Sequence, residues 1–291
     1  MKNWGWIVVF SILFVSCEGV YEDQSERVLV VEGWIDSGGF PIVMVTTSAP
    51  VSDTEIPLDS LDEYLLRWAR VTLSDGEEEV VLTGKMDTCY MPPYIFTTGK
   101  MRGVPGKTYT LTVNYKDYYA EAKTTIPYPV SIDSFAVSPV EEDSLYQLMA
   151  YFKDDEMQDN FYKLFVGVKG KDDVLSPSFM GTINDDVLAG VSELVIYQPS
   201  RLSTADYNPF FNSEDVVTVK FSQMDEEAYQ FWKKYDELQS FSGVLFFPVT
   251  NSLPSNIKGG IGYWFGYGSN IYQLDIKSLL QSKKHFWKRM R

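Results

Sequence analysis

A mainly β protein is what the sequence predicts: an N-terminal immunoglobulin-like β-sandwich, then a second β-rich domain, barrel- or sandwich-like, with one amphipathic helix. Three observations lead there. Aromatics make up 15% of the 291 residues, with 19 Tyr, 18 Phe and 7 Trp, and rings suit the pleated surface of strands. Short apolar runs alternate with polar residues at period two, most plainly where Tyr109, Leu111, Val113 and Tyr115 interleave with Thr108, Thr110, Thr112 and Asn114. Turn residues punctuate these runs at hairpin spacing: Asp36-Ser37-Gly38-Gly39, Asp75-Gly76 and Pro105-Gly106.

Residues 1–16 read as a lipoprotein signal peptide. Lys2 gives a positive start, and Trp4 to Val15 is an apolar run of signal-peptide length, too short to span a bilayer as a helix. Phe14-Val15-Ser16-Cys17 resembles a bacterial lipobox, with Phe14 in place of the usual Leu. A small residue before the cysteine suits signal-peptidase cleavage. The Cys17 thiol is then the expected site of linkage to diacylglycerol, with acyl chains such as palmitate holding the protein on a membrane at about 0.8 kcal/mol per buried CH₂. The alternative is an ordinary signal peptide that happens to hold a cysteine. Residues 17–26 form an acylated tether. Its acidic residues, Glu18, Glu22, Asp23 and Glu26, resemble the surface-export signal of Bacteroidetes lipoproteins, so a lipid-anchored, surface-exposed outer-membrane location is expected.

The sandwich is expected over residues 27–128. RVLVVEGWID and IVMVTT make a first hairpin, a polar loop fills 50–62, and RWARVTLSDGEEEVVLTG makes a strand, a tight turn and another strand. IPYPVSIDSF, with its two prolines, marks the boundary. The second domain is expected over 129–280, with strands in LYQLMAYFKD, NFYKLFVGVKG and VVTVKFSQ. A helix is predicted near 223–239, with Ser222 and Asp225 as a capping box and Ala228, Phe231, Trp232, Tyr235 and Leu238 on one face as core. Residues 281–291 read as a basic tail, which is either a solvated, frayed end or a contact for an acidic partner or lipid headgroups.

Composition narrows the chemistry. Net charge is −15 and pI near 4.5, which repels phosphate backbones, so no nucleic-acid partner is expected. The one histidine, His285, leaves no His-ligated metal site or Ser-His-Asp triad. Of two cysteines, Cys17 is committed to the anchor and Cys89 is expected as a small buried hydrophobe. Asp154, Asp155, Glu156 and Asp159, and separately Asn184, Asp185 and Asp186, offer oxygen ligands to calcium, but the spacing departs from the EF-hand pattern and solvated loops are the expected reading. Ser242 sits in no GxSxG elbow. No catalytic residue, metal or cofactor is assigned. Tyr263, Trp264 and Tyr267 are candidate ligand-contact aromatics, with core burial as the competing reading.

Several segments occur in an order that resembles a known family. They are LVVEGWI (29–35), VPGKTYTLTV (104–113), YFKDDEMQDNFYKL (151–164), DEEAYQFWKKY (225–235) and SNIKGGIGYWFGY (255–267). The series resembles a Bacteroidetes lipoprotein family known as domain of unknown function 4249, over nearly all of the mature chain. That resemblance implies a binding or accessory lipoprotein beside a TonB-dependent outer-membrane receptor and offers no catalytic residues. The alternatives are a structural or adhesion-like surface module and, less favoured, a carboxylate-dependent hydrolase.

Overall fold

The computed structural model describes residues 27–48, 63–140, 145–153, 160–185, 191–199, 208–241 and 253–289. The expectations for residues 1–26, Cys17 among them, for the loop at 50–62, for Asp154–Asp159, for Asp186 and for Ser242 lie outside the described residues.

Period-two alternation builds most of the molecule. The first half runs through β1 (Leu29–Asp36), β2 (Ile42–Thr47), β3 (Arg70–Ser74), β4 (Glu79–Val81), β5 (Thr83–Met86), β6 (Tyr94–Thr97), β7 (Thr108–Tyr115) and β8 (Tyr118–Thr125). The second half adds β9 (Ser134–Pro139), β10 (Leu145–Lys153), β11 (Phe161–Val168), β12 (Ser176–Asn184), β13 (Val191–Ile196), β14 (Phe211–Asn212) and β15 (Val216–Met224). Helix α1 (Glu226–Phe241), strand β16 (Ile261–Asp275) and helix α2 (Ile276–Arg289) complete it. The protein is mainly β, as the sequence predicts, and the second half forms an open sandwich rather than a barrel. Among the described residues, no helix is long and apolar enough to cross a membrane.

Strand β16 organises the sheets. Residues 261–267 run parallel to β1, from Val30 opposite Ile261 to Asp36 opposite Tyr267. Residues 268–275 then pair antiparallel with β15, from Gln223 opposite Gly268 to Val216 opposite Asp275. One eight-stranded sheet results, in the order β12-β11-β15-β16-β1-β2-β6-β5. The sheet β4-β3-β7-β8 packs on its first-half portion, and β13-β10-β14, with β9 beside β10, on its second-half portion.

Alternation along β16 decides what each face does. Trp264 enters the first core with Val31, Ile35, Val71, Leu111 and Val113. Tyr272 and Leu274, of the same parity, pack against the second core of Phe152, Tyr162, Leu164, Val219 and Phe221. The residues between them, Phe265 and Tyr267, face the other way and meet Phe231 and Trp232 of α1 in a third cluster.

The turns follow the expected chemistry. Gly38 adopts φ 72° in the β1–β2 hairpin, a conformation costly for a residue with a Cβ. Asp75 Oδ1 accepts from the backbone N–H groups of Glu77 and Glu78 in the β3–β4 turn. The expected capping box at α1 is corrected. Asp225 alone caps α1, its Oδ1 accepting from Ala228 N at 2.9 Å. Ser222 is a fully buried residue of β15, not a cap, because its position on the strand turns it into the sheet face. Residues 281–289 of the basic tail are helical, as the end of α2, which Asp275 caps through Ser278 N at 3.0 Å.

The parallel seam depends on a residue without a side chain. Gly262 has φ 114°, and a Cβ there would lie 2.0 Å from the Val31 carbonyl oxygen. Gly262→Ala is therefore expected to cost 3 kcal/mol or more, by the order of such backbone strain and clash (about 3 kcal/mol and up). Urea unfolding followed by tryptophan fluorescence checks it. Both halves are expected to lose stability in one transition, because β16 belongs to both.

Candidate functional site: an aromatic cavity across the seam

On the α1 face of the large sheet lies a cavity of about 430 Å³. Its residues come from both halves. β1 supplies Trp34 and Asp36, and the β5–β6 connection supplies Tyr90. β11 gives Phe165, β15 gives Lys220, and α1 gives Trp232. Tyr263, Tyr267 and Ile271 come from β16, and Asp173, Val174 and Leu175 stand on the β11–β12 connection. Six aromatic rings thus surround three charged side chains.

The floor is a bonded polar strip. Lys220 Nζ donates to Asp36 Oδ1 at 2.7 Å. Ser269 Oγ donates to the same oxygen at 2.6 Å and shares a hydrogen bond of 2.8 Å with Ser222 Oγ. The ammonium also sits over two rings, 4.5 Å from the centroid of Phe165 and 4.9 Å from that of Tyr267. Lys220 is 7% exposed, so its charge is carried by Asp36 and the ring faces rather than by water.

The walls are held in place by ring packing. Trp232 Nε1 donates to Tyr267 Oη at 2.7 Å, and Phe165 meets both rings edge-on at 5.6 Å. Trp34 and Tyr90 stand 6.0 Å apart and tilted. Burial pushes the phenols of Tyr263 and Tyr267 well above their usual range, and that of Tyr90 upward. The site therefore keeps neutral tyrosines at physiological pH.

Behind Trp232 lies a second buried cation. Lys163 donates to Thr182 Oγ1 at 2.8 Å and to both oxygens of Asp236 at 3.1 and 3.2 Å, with its Nζ 4.9 Å from the Trp232 ring. It clamps α1 to the sheet and so sets the cavity wall. Desolvation pulls its pKa down to about 8, the Asp236 carboxylate opposing this only in part. On the same face of β1, Glu32 has its carboxyl pKa raised by burial.

Of the three aromatics singled out in the sequence, Tyr263 and Tyr267 line the cavity. Trp264 does not: it points into the first core, fully buried, and its Nε1 donates to Tyr109 O at 3.1 Å. Strand alternation forbids neighbours from sharing a face. Cys89, expected buried, is exposed: it stands on the β5–β6 connection, where its neighbour Tyr90 rather than Cys89 turns toward the cavity. Asp185 accepts from the backbone N–H of Asn160 and so serves loop closure. Among the described residues, no group of three or more acidic, histidine or cysteine side chains gathers to hold a metal ion. Sequence reasoning missed Trp34, Asp36, Tyr90, Phe165 and Lys220. Alternation in VVTVKF buries Val217, Val219 and Phe221 and turns Lys220 to the opposite face with Thr218, so its local pattern gave no sign that it would be buried.

A family described as Domain of unknown function (DUF4249) matches residues 19–272. No curated protein matches the chain. Among solved structures, a two-domain fibronectin type-III segment from chicken tenascin is similar at 11% identity, covering 68% of this chain and 91% of that one with a TM-score of 0.20.

The Lys163 clamp gives a pH signature. The folded chain releases this proton near pH 8, whereas the unfolded chain holds it to the usual 10.5, so the unfolded state binds more protons between these values. Stability therefore rises with pH across that interval, and the full cost of burying the charge is present below it. Between pH 7.5 and 9.5 the gain is roughly 2 kcal/mol, since each pKa unit is worth about 1.4 kcal/mol. Urea midpoints at the two pH values are expected to show this rise in the wild-type chain and its loss in Lys163→Met.

Proposed function

Because this chain belongs to the DUF4249 family, a domain of unknown function, its activity has to be argued from the site, and we propose a lipid-anchored binding protein of the bacterial outer membrane that captures a small ligand in the aromatic cavity and works beside a TonB-dependent transporter. One observation carries the binding part: a cavity of about 430 Å³, walled by six aromatic rings, with a bonded Lys220–Asp36 pair as its floor. Such a volume suits a small molecule, and convergent polar groups in an aromatic wall are what orient one. The charged pair supports this further. With Lys220 buried and Asp36 partly exposed, such a pair contributes little to the stability of the fold, so its place at a cavity floor supports recognition.

The anchor part rests on Cys17. The tether, residues 17–26, spans at most about 35 Å fully extended, which keeps the cavity close to a membrane-embedded partner. The acidic balance of −15 keeps such a surface protein soluble and off nucleic acid.

A membrane pull-down tests both parts. The wild-type chain and Cys17→Ala, each tagged at the C-terminus, are expressed in a bacterium that processes lipoproteins, and outer membranes are extracted in mild detergent. Wild type is expected in the outer membrane together with a TonB-dependent barrel, and Cys17→Ala is expected to be released. Both proteins in one fraction would sink the anchor. Wild type anchored without a barrel would remove the transporter role and favour a structural or adhesion-like surface module.

A further inference from the structure

We infer that the cavity takes a neutral carbohydrate, one or two pyranose rings, with a ring face against the aromatic wall and adjacent hydroxyls on the Lys220–Asp36 pair. This deepens the binding function proposed above and rests on it.

Charge removes ionic ligands. The positions over Phe165 and Tyr267 that would attract a ligand cation already hold the Lys220 ammonium, at 4.5 and 4.9 Å. A second cation there would meet a like charge in a poorly hydrated site. An anion would face Asp36 on the floor and Asp173 at the mouth. Because Lys220 and Asp36 neutralise each other, the floor is strongly polar yet carries no net charge.

Shape and bonding select among neutral ligands. A purely apolar ligand would cover the partly exposed Asp36 carboxylate without giving it a hydrogen bond, at a cost of about 1–3 kcal/mol. The ligand must therefore present an apolar face and a polar edge at once. A pyranose does so: its axial C–H groups form a flat apolar face, and its equatorial hydroxyls form a polar rim. Lys220 supplies N–H donors. Asp36 uses Oδ1 for both Lys220 and Ser269, and Oδ2 remains as a second acceptor on the same carboxylate. A donor and an acceptor fixed side by side match two vicinal hydroxyls, each of which donates and accepts. Trp34 and Tyr90, whose ring centroids stand 6.0 Å apart, supply ring faces. About 430 Å³ admits more than one ring.

The test titrates the full chain, extracted in a detergent without a sugar head group, and follows tryptophan fluorescence, since Trp34 and Trp232 line the cavity. The probes are glucose, galactose, mannose, N-acetylglucosamine, cellobiose and maltose, against glucosamine, glucuronate and tetramethylammonium. At least one neutral sugar is expected to give a saturable change, with the charged probes at least tenfold weaker. Trp34→Leu is expected to weaken that binding tenfold or more. The double variant Asp36→Leu with Lys220→Met keeps packing and removes the bonding pair, so it is expected to fold, with an unchanged thermal midpoint within a few degrees, and to lose binding tenfold or more.

Tetramethylammonium or a charged sugar binding more tightly than every neutral one would overturn the ligand class and leave the binding function standing. Sugar binding that survives in the folded double variant would overturn the role of the pair. No response to any probe would overturn the carbohydrate inference, while the pull-down separately decides the anchor and the transporter.

Discussion

The parallel pairing of β1 with the first half of β16 is the contact on which the rest of the structure depends. Residue 261 is more than two hundred positions from residue 30, so this seam closes the longest loop in the chain and forms against the largest closure entropy. It holds because little stands in the way. Gly262 lets the backbones meet, and Gly33 opposite Trp264 leaves room for the indole, whose ring lies 3.0 Å from where a Cβ on Gly33 would be. Once formed, the seam lets one strand carry side chains into the cores of both halves. The two sandwiches therefore share a sheet rather than a linker.

The site is a consequence of that sharing. Ser269 lies just beyond the point where β16 leaves β1 for β15, and it bonds Asp36 on one side and Ser222 on the other. Ser37 adds a bond to the Ser269 backbone N–H at 2.9 Å. Lys220 then reaches over β16 to Asp36, between residues 184 positions apart. An ion pair spanning the two halves forms only if both partners arrive in register, and truncating Asp36 alone would leave the buried Lys220 ammonium without its carboxylate. Seam, polar strip and aromatic walls thus reinforce one another, and α1, locked by Lys163 and Trp232, closes the side that would otherwise be open sheet.

Several elements were legible because they are local. The alternation in β7, the Asp75-Gly76 turn, the hairpin at residues 36–39 and the amphipathic face of α1 rest on neighbours a few positions apart. Where a local rule had two readings, the structure chose. Ser222 had the spacing of a capping residue and also the parity of a sheet residue, and burial in the sheet prevailed. Helix α2 was hidden behind its basic composition, although Asp275 stood ready as its cap. Tyr263 and Tyr267 share a parity in β16 that Trp264 does not, and that rule separates ligand wall from core once the strand is placed.

What the sequence by itself determined is whatever depends on residues close along the chain: the β class, the turns, one helix and the lipobox-like pattern ending at Cys17. Tertiary structure alone decided that β16 joins two sandwiches and that Trp34, Tyr90, Phe165, Lys220 and Trp232 face one cavity. The physical reason is separation. Alternation states that a side chain lies on one face of its strand, but which strands become neighbours is settled by packing between segments about fifty to more than two hundred residues apart, and no periodicity within a segment encodes its partner.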